Sequence, residues 1–225
     1  MKMQKLAFCV FGLFMIAGAE TAQAALVNWT DWIEGDGGSR VIGDLDFGTT
    51  SVTVTYSGSY SFAQTAGGTN FWSPEEPYIS SEVENAPPAY DIIALSNGGS
   101  NTITFSQTVI DPVIALVSWN NNTVEFGVPI EILSYGSGFF GNGVPELNSG
   151  STGFYGNGEV HGVIRLAGAY DSITFTDVPE GWHGFTVGAV ATPEPASVLL
   201  LGTGLALLAS GKIRSKQQRS MKSGI

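Results

Sequence analysis

An antiparallel, all-β sandwich of the jelly-roll kind is the fold class predicted for residues 25–192 of this 225-residue chain, and three observations predict it. Apolar and polar residues alternate with period two in many short segments. Glycine fills 24 of those 168 positions, about twice the usual share. No stretch sustains the 3.6-residue period of a helix. Many short strands with frequent turn punctuation describe an all-β domain rather than an α/β one. A single domain of this size buries roughly 70% of its unfolded surface and needs neither metal nor disulfide merely to fold.

The alternation begins at residues 51–56 (SVTVTY) and returns at 101–105 (NTITF), 129–133 (PIEIL), 160–166 (VHGVIRL) and 172–175 (SITF), with a last strand over 185–190. Residues 91–95 and 113–119 are continuous apolar runs and read as strands buried on both faces. Turn signals separate these segments: Asn97-Gly98-Gly99, Asp111-Pro112, Gly141-Asn142-Gly143 and Gly156-Asn157-Gly158. Residues 71–89 hold four prolines and four glutamates and read as a long surface loop with room for a helical turn. The glycine-rich residues 135–158 read as a hairpin with a mobile tip or as a pair of loops at one end of the sandwich. Segments 101–105 and 171–175 echo each other as two similar strands, too briefly for a repeat.

Charge is distributed unevenly. Between residues 25 and 192 stand only Arg40 and Arg165 against 18 acids, a net charge of −16 without a single lysine. Nucleic acid is excluded as a partner, because binding it requires cations that displace condensed counterions.

The two ends read as addresses. Lys2 and Lys5 precede an apolar run over residues 6–19 and then Ala22-Gln23-Ala24, small residues at the positions a signal peptidase reads, so residues 1–24 form a secretory signal cut before Ala25. Cys9, the only cysteine, lies inside it, which leaves the exported domain without disulfide or thiolate metal site. At the other end Pro193-Glu194-Pro195 precedes an apolar helix over residues 196–210 and a basic tail with Lys212, Arg214, Lys216, Arg219 and Lys222. Fifteen helical residues span about 22 Å, short of the roughly 30 Å hydrocarbon core, and snorkelling basic side chains with local thinning take up the difference. The basic tail places the domain outside and the tail inside.

Pro-Glu-Pro, an apolar helix and a basic tail, in a chain with a signal peptide, resemble the PEP-CTERM sorting signal of Gram-negative bacteria. The resemblance covers residues 193 to about 219 and is silent on the activity of the domain. It implies signal peptidase and an exosortase-type protease as partners, a transient stay in the inner membrane, and delivery to the cell surface or extracellular matrix. Here the tail runs on to Ile225 with mixed lysine and arginine beyond the usual Arg-rich stop, and the same residues would also serve as an uncut membrane anchor.

Motifs for chemistry are few. Residues 136–141 fit G-x-G-x-x-G, but Asn142, Gly143 and Pro145 follow where a phosphate-binding helix should start, so they read as a loop. Neither G-x-S-x-G nor H-E-x-x-H occurs, and His161 and His183 read as structural. Glu125 and Glu131 border strands and are the candidate carboxyl pair of a glycoside hydrolase. Asp31, Glu34, Asp36, Asp44 and Asp46 place five hard oxygen ligands in sixteen residues, a calcium candidate without EF-hand spacing, against the plainer reading of a solvating acidic coat. Trp72 in the Pro/Glu-rich loop, and Trp119 beside Asn120, pair ring faces with amide groups as sugar-binding candidates, against the plainer reading of core tryptophans. No cofactor is expected, calcium being the one ion whose ligands are present in number. The sequence thus predicts an exported, non-enzymatic, structural or adhesive protein associated with exopolysaccharide. A calcium- or carbohydrate-binding lectin-like module is the alternative, and a secreted glycoside hydrolase the weaker one.

Overall fold

A computed structural model describes residues 24–191. Ala22, the Pro193-Glu194-Pro195 motif, the apolar helix and the basic tail lie outside the described residues. Fifteen strands follow in chain order: β1 (Val27–Trp29), β2 (Asp31–Gly35), β3 (Arg40–Asp46), β4 (Ser51–Ser57), β5 (Phe62–Gln64), β6 (Ile92–Leu95), β7 (Gly99–Ile110) and β8 (Val113–Trp119) come first. Then come β9 (Thr123–Glu125), β10 (Ile130–Tyr135), β11 (Gly143–Leu147), β12 (Gly153–Gly158), β13 (Val160–Leu166), β14 (Ala169–Asp177) and β15 (His183–Val190). One 3-10 turn, Glu76–Tyr78, interrupts the long β5–β6 connection.

The strands form two antiparallel sheets. One has the order β10-β13-β8-β15-β6-β5, with β1 also pairing β15; the other has the order β11-β12-β9-β14-β7-β4-β3-β2. The pairing is nested: β6 lies beside β15, β7 beside β14, β8 beside β13 and β9 beside β12. A long hairpin therefore wraps across both sheets, crossing between them at each step. The two echoed segments are neighbours in this wrap, with Ile103 directly opposite Ile173. Asp111, at φ 46°, and Gly98, at φ 67°, occupy expected turns, and a side chain at Gly98 would strike the backbone of Pro179.

Alternate residues of both sheets meet in the main core. Val41, Val54, Ile103, Phe105, Ile173 and Phe175 come from one side, and Ile93, Leu116, Trp119, Ile164, Phe185 and Val187 from the other. The seven-stranded sheet is also apolar on its outer face, where Val27, Ile92, Val113, Ala115, Val117 and Val163 pack with Trp72, Tyr78 and Val83. Residues 71–89 are thus a covering layer rather than a surface loop, with Trp72, Pro77, Tyr78, Val83 and Pro87 buried. Two-sided burial explains why all seven residues of β8 and all four of β6 are inaccessible. Residues 135–158 also differ from a mobile tip: β11 and β12 pair residue for residue from Gly143↔Gly158 to Leu147↔Phe154, so Gly156-Asn157-Gly158 sits in a strand and not in a turn.

The sheet margins are poor templates for further strands. β5 has three residues, β2 is bulged and carries Asp31 and Glu34, β10 is bulged and carries Glu131, and β11 contains Pro145 and Glu146.

Replacing Trp72 with alanine should cost about 3–5 kcal/mol in a urea titration, because its ring is 1% exposed between the covering layer and the sheet. A loss under about 1 kcal/mol would show that the layer is not part of the cooperative fold.

Candidate functional site

Phe62 of β5, Phe71 of the covering layer, Phe139 and Phe140 of the β10–β11 connection and Trp182 just before β15 converge at one shoulder of the sandwich. Phe71 is the hub, with ring centroids 5.0 Å from Trp182, 5.2 Å from Phe139, 6.0 Å from Phe140 and 6.2 Å from Phe62. Phe140 stands edge-on to Trp182 at 5.1 Å. Unlike the rings of the core, Phe62 is 36% exposed and Phe139 and Phe140 are each 43% exposed. Five rings gathered from four segments, Phe62, Phe139 and Phe140 exposed and Phe71 and Trp182 half-buried between them and the outer-face core, form a patch of the kind that marks an interaction site.

Two segments carry the patch onward. Phe71 leads into Pro74, Glu76 and Pro77, and Phe139 is preceded by Tyr135, Gly136 and Ser137; these six residues line an open hollow of about 400 Å³. Tyr135 is 52% exposed there, and Glu76 is the one charged residue of the lining.

The patch rests on His161. Its Nε2 accepts from the Phe140 N–H at 3.4 Å, its Nδ1 lies 3.2 Å from the Tyr78 hydroxyl, and the backbone of Gly138 passes so close to the ring that any side chain there would collide with it. Burial lowers the pKa of His161 to about 4, against a smaller opposing effect of the Glu159 charge.

Beneath Trp182 lies a buried polar network. His183 is inaccessible, with Asp177 Oδ2 2.9 Å from Nε2 and Glu180 Oε1 3.1 Å from Nδ1. Asp177 Oδ2, Glu180 Oε1 and His183 Nε2 are left without a well-directed hydrogen bond, whereas His183 Nδ1 also lies 3.3 Å from the Asn122 side-chain amide nitrogen. Burial pulls the His183 pKa down, but the two carboxylates outweigh it and the net shift is upward. Asp177 accepts from Asn101, which accepts from Tyr56. Glu180 accepts from the Asn120 backbone N–H, and the Asn120 side chain donates to Glu159. Glu159 also accepts from Ser118, which takes a left-handed φ of 59° at the bulge of β8. That bulge turns Trp119 inward, where its Nε1 donates to the Gly184 carbonyl and its ring lies 4.1 Å from that of His183.

Of the sugar candidates, Trp72 and Trp119 are therefore interior residues at 1% exposure, and Asn120 is engaged with Glu159. Neither tryptophan offers a ring face to a ligand. The patch was missed because its members are far apart in sequence; the adjacent Phe139-Phe140 pair in a glycine-rich connection was its one local signal.

The structure divides the five calcium candidates. Asp36 caps its own turn, accepting from the Gly38, Ser39 and Arg40 N–H groups and the Ser39 hydroxyl, which hold its carboxyl well below the usual range. Asp46 accepts from Gly48. Asp31 lies opposite Asp44 across the β2–β3 pair, and with Asp46 they line an open hollow that includes Thr49, Thr50 and Ser51. Glu34 stands on β2 beyond its bulge, opposite Ile42, and is not among the residues lining that hollow. Among the described residues no group of three His, Cys, Asp or Glu is arranged to hold a metal ion.

Glu125 on β9 and Glu131 on β10 belong to different sheets. Thr152 and the Gly127 N–H lower the Glu125 pKa, the reverse of what a general acid needs. Glu131 is held by Arg165. Both ring nitrogens of each histidine face protein groups, carboxylates at His183 and Tyr78 and Phe140 at His161, which leaves neither placed to activate a serine.

The chain matches no family model, no curated protein and no solved structure.

The pH dependence of stability should show opposed slopes. The folded value of His161, about 4, lies below the unfolded 6.5, so stability is lost as pH falls between them, on the order of 3 kcal/mol. Asp91 is raised from 3.8 to about 6 by burial, against the Trp32 N–H, so its contribution is present below 3.8 and lost as pH rises to about 6, on the order of 3 kcal/mol. Raised His183 adds a loss as pH climbs above 6.5 through its folded value. Urea midpoints across pH 4–6 should be nearly flat for the parent, fall on acidification in Asp91→Asn, and fall on alkalinisation in His161→Gln. Unchanged slopes in both variants would refute these assignments. Calcium and magnesium at equal ionic strength should raise the thermal midpoint equally by screening; a calcium-specific rise would reinstate the Asp31, Asp44 and Asp46 hollow as a site.

Proposed function

We propose that this chain is an exported protein of the cell surface or extracellular matrix of a Gram-negative bacterium, with a structural and adhesive role among exopolysaccharides. The domain is read as a jelly roll, which the nested strand pairing supports, released by signal peptidase at Ala24-Ala25 and sorted through the PEP-CTERM-like tail by an exosortase-type protease. The observation that carries the reading is polarity. β1 runs antiparallel to β15 with Val27 opposite Val190, so the chain enters near Ala25 and leaves at Ala191 from one pole. Trp182 and the aromatic patch sit at the other end of β15, about 25 Å away at 3.4 Å per residue. A domain tethered at either end, cut or uncut, would present the patch away from its attachment. The exposed rings also favour a lectin-like module as the second reading.

Fractionation of the native host tests the proposal. The unaltered protein should be recovered with the surface and matrix polysaccharide, and Pro193→Ala/Glu194→Ala/Pro195→Ala should remain in the inner membrane with its tail intact. Identical distributions of the two proteins would overturn the sorting assignment, and an unaltered protein found only in the cytoplasm would overturn the whole reading.

A further inference from the structure

Resting on the polysaccharide-associated reading above, we propose that the aromatic shoulder and the adjoining hollow form one extended binding surface for an amino-sugar polysaccharide carrying free ammonium groups. The surface is continuous because the same two segments build both parts. One runs from Phe71 through Pro74 to Pro77, the other from Tyr135 through Ser137 to Phe140, and Phe71 and Phe139 touch at 5.2 Å where they meet. Pyranose rings present flat C–H faces that stack on aromatic rings, and the Tyr135 and Ser137 hydroxyls supply the hydrogen bonds that such a chain requires.

Charge selects among glycans. Glu76 is the charged group of the hollow, and Glu75 precedes it on the same exposed turn. The only two cations of residues 25–192 are elsewhere: Arg165 is held between Glu82 and Glu131, and Arg40 lies on β3 of the other sheet. A uronate or sulfated chain would meet a domain of net charge −16 with no cation at the contact. An ammonium-bearing chain instead meets carboxylates for its charge and ring faces for its cation–π contacts.

The test is binding of the full-length protein in detergent to a glucosamine oligomer, its fully N-acetylated counterpart and a polyuronate. The glucosamine oligomer should bind tightest and weaken with salt, and the polyuronate should not bind. Phe140→Ala/Trp182→Ala should weaken binding about thirtyfold, as loss of central aromatic anchors does. Glu76→Gln, at an exposed position that leaves packing untouched, should weaken the glucosamine oligomer about fivefold and the acetylated one not at all. Urea midpoints of the variants separate loss of the surface from loss of the fold. Equal binding of the two oligomers, preference for the polyuronate, or a Phe140-dependent dimer in place of glycan binding would each overturn the inference. Retention of the patch variants in native matrix polysaccharide at parental levels would overturn it while leaving the matrix reading intact. Failure of the unaltered protein to associate with matrix polysaccharide would remove both.

Discussion

The seven-stranded sheet is apolar on both faces, and an apolar face left in water is the constraint from which most of the structure follows. The eight-stranded sheet covers only the inner face. The outer face requires a second layer, and the chain supplies it from the β5–β6 connection, whose Trp72, Tyr78 and Val83 pack against residues of β1, β6, β8 and β13. Docking that layer places Phe71 at the shoulder and Tyr78 against His161, and His161 in turn holds the Phe140 backbone. Exposed rings are therefore a by-product of hydrophobic burial one layer down.

Acidity poses the second problem, since a domain with two arginines cannot neutralise 18 acids by pairing. Backbone amides and asparagines serve instead. Asp36 takes three N–H groups, Glu125 takes Gly127 and Asn148, and Glu159 takes Ser118 and Asn120. His183 is the exception, a buried imidazole set between two carboxylates, whose pKa they push upward against the opposing effect of burial. At Asp36, Glu125 and Glu159 such an arrangement fixes the geometry of the carboxylates through hydrogen bonds rather than ion pairs.

Much of the strand pattern was legible because burial on one face writes period two into the sequence, as in β4, and burial on both writes an apolar run, as in β8. Even the likeness of residues 101–105 and 171–175 had a cause, since paired neighbours with Ile103 opposite Ile173 face the same environment. What was not legible depended on tertiary partners. Gly156 and Gly158 read as a turn, and Gly153 as part of a glycine-rich hairpin or loop pair, yet Gly153 and Gly156 lie where a side chain would strike the neighbouring backbone at Val124 and Trp119. Prolines and glutamates disguised the covering layer, because its inward-facing Trp72, Tyr78 and Val83 are spaced without a period, and two of the prolines, Pro77 and Pro87, are themselves buried. The tryptophans singled out for ligand were the ones the core needed, whereas the exposed rings were mostly phenylalanines, scattered over 120 residues.

The blunted margins of both sheets have a bearing on crowding. Three-residue β5, bulged β2 and β10 and the proline of β11 leave no regular row of backbone groups for a neighbour to zip onto. Edge-to-edge strand pairing between neighbouring molecules is thereby disfavoured, so contacts between copies at high concentration would fall to side-chain surfaces rather than to backbone ladders.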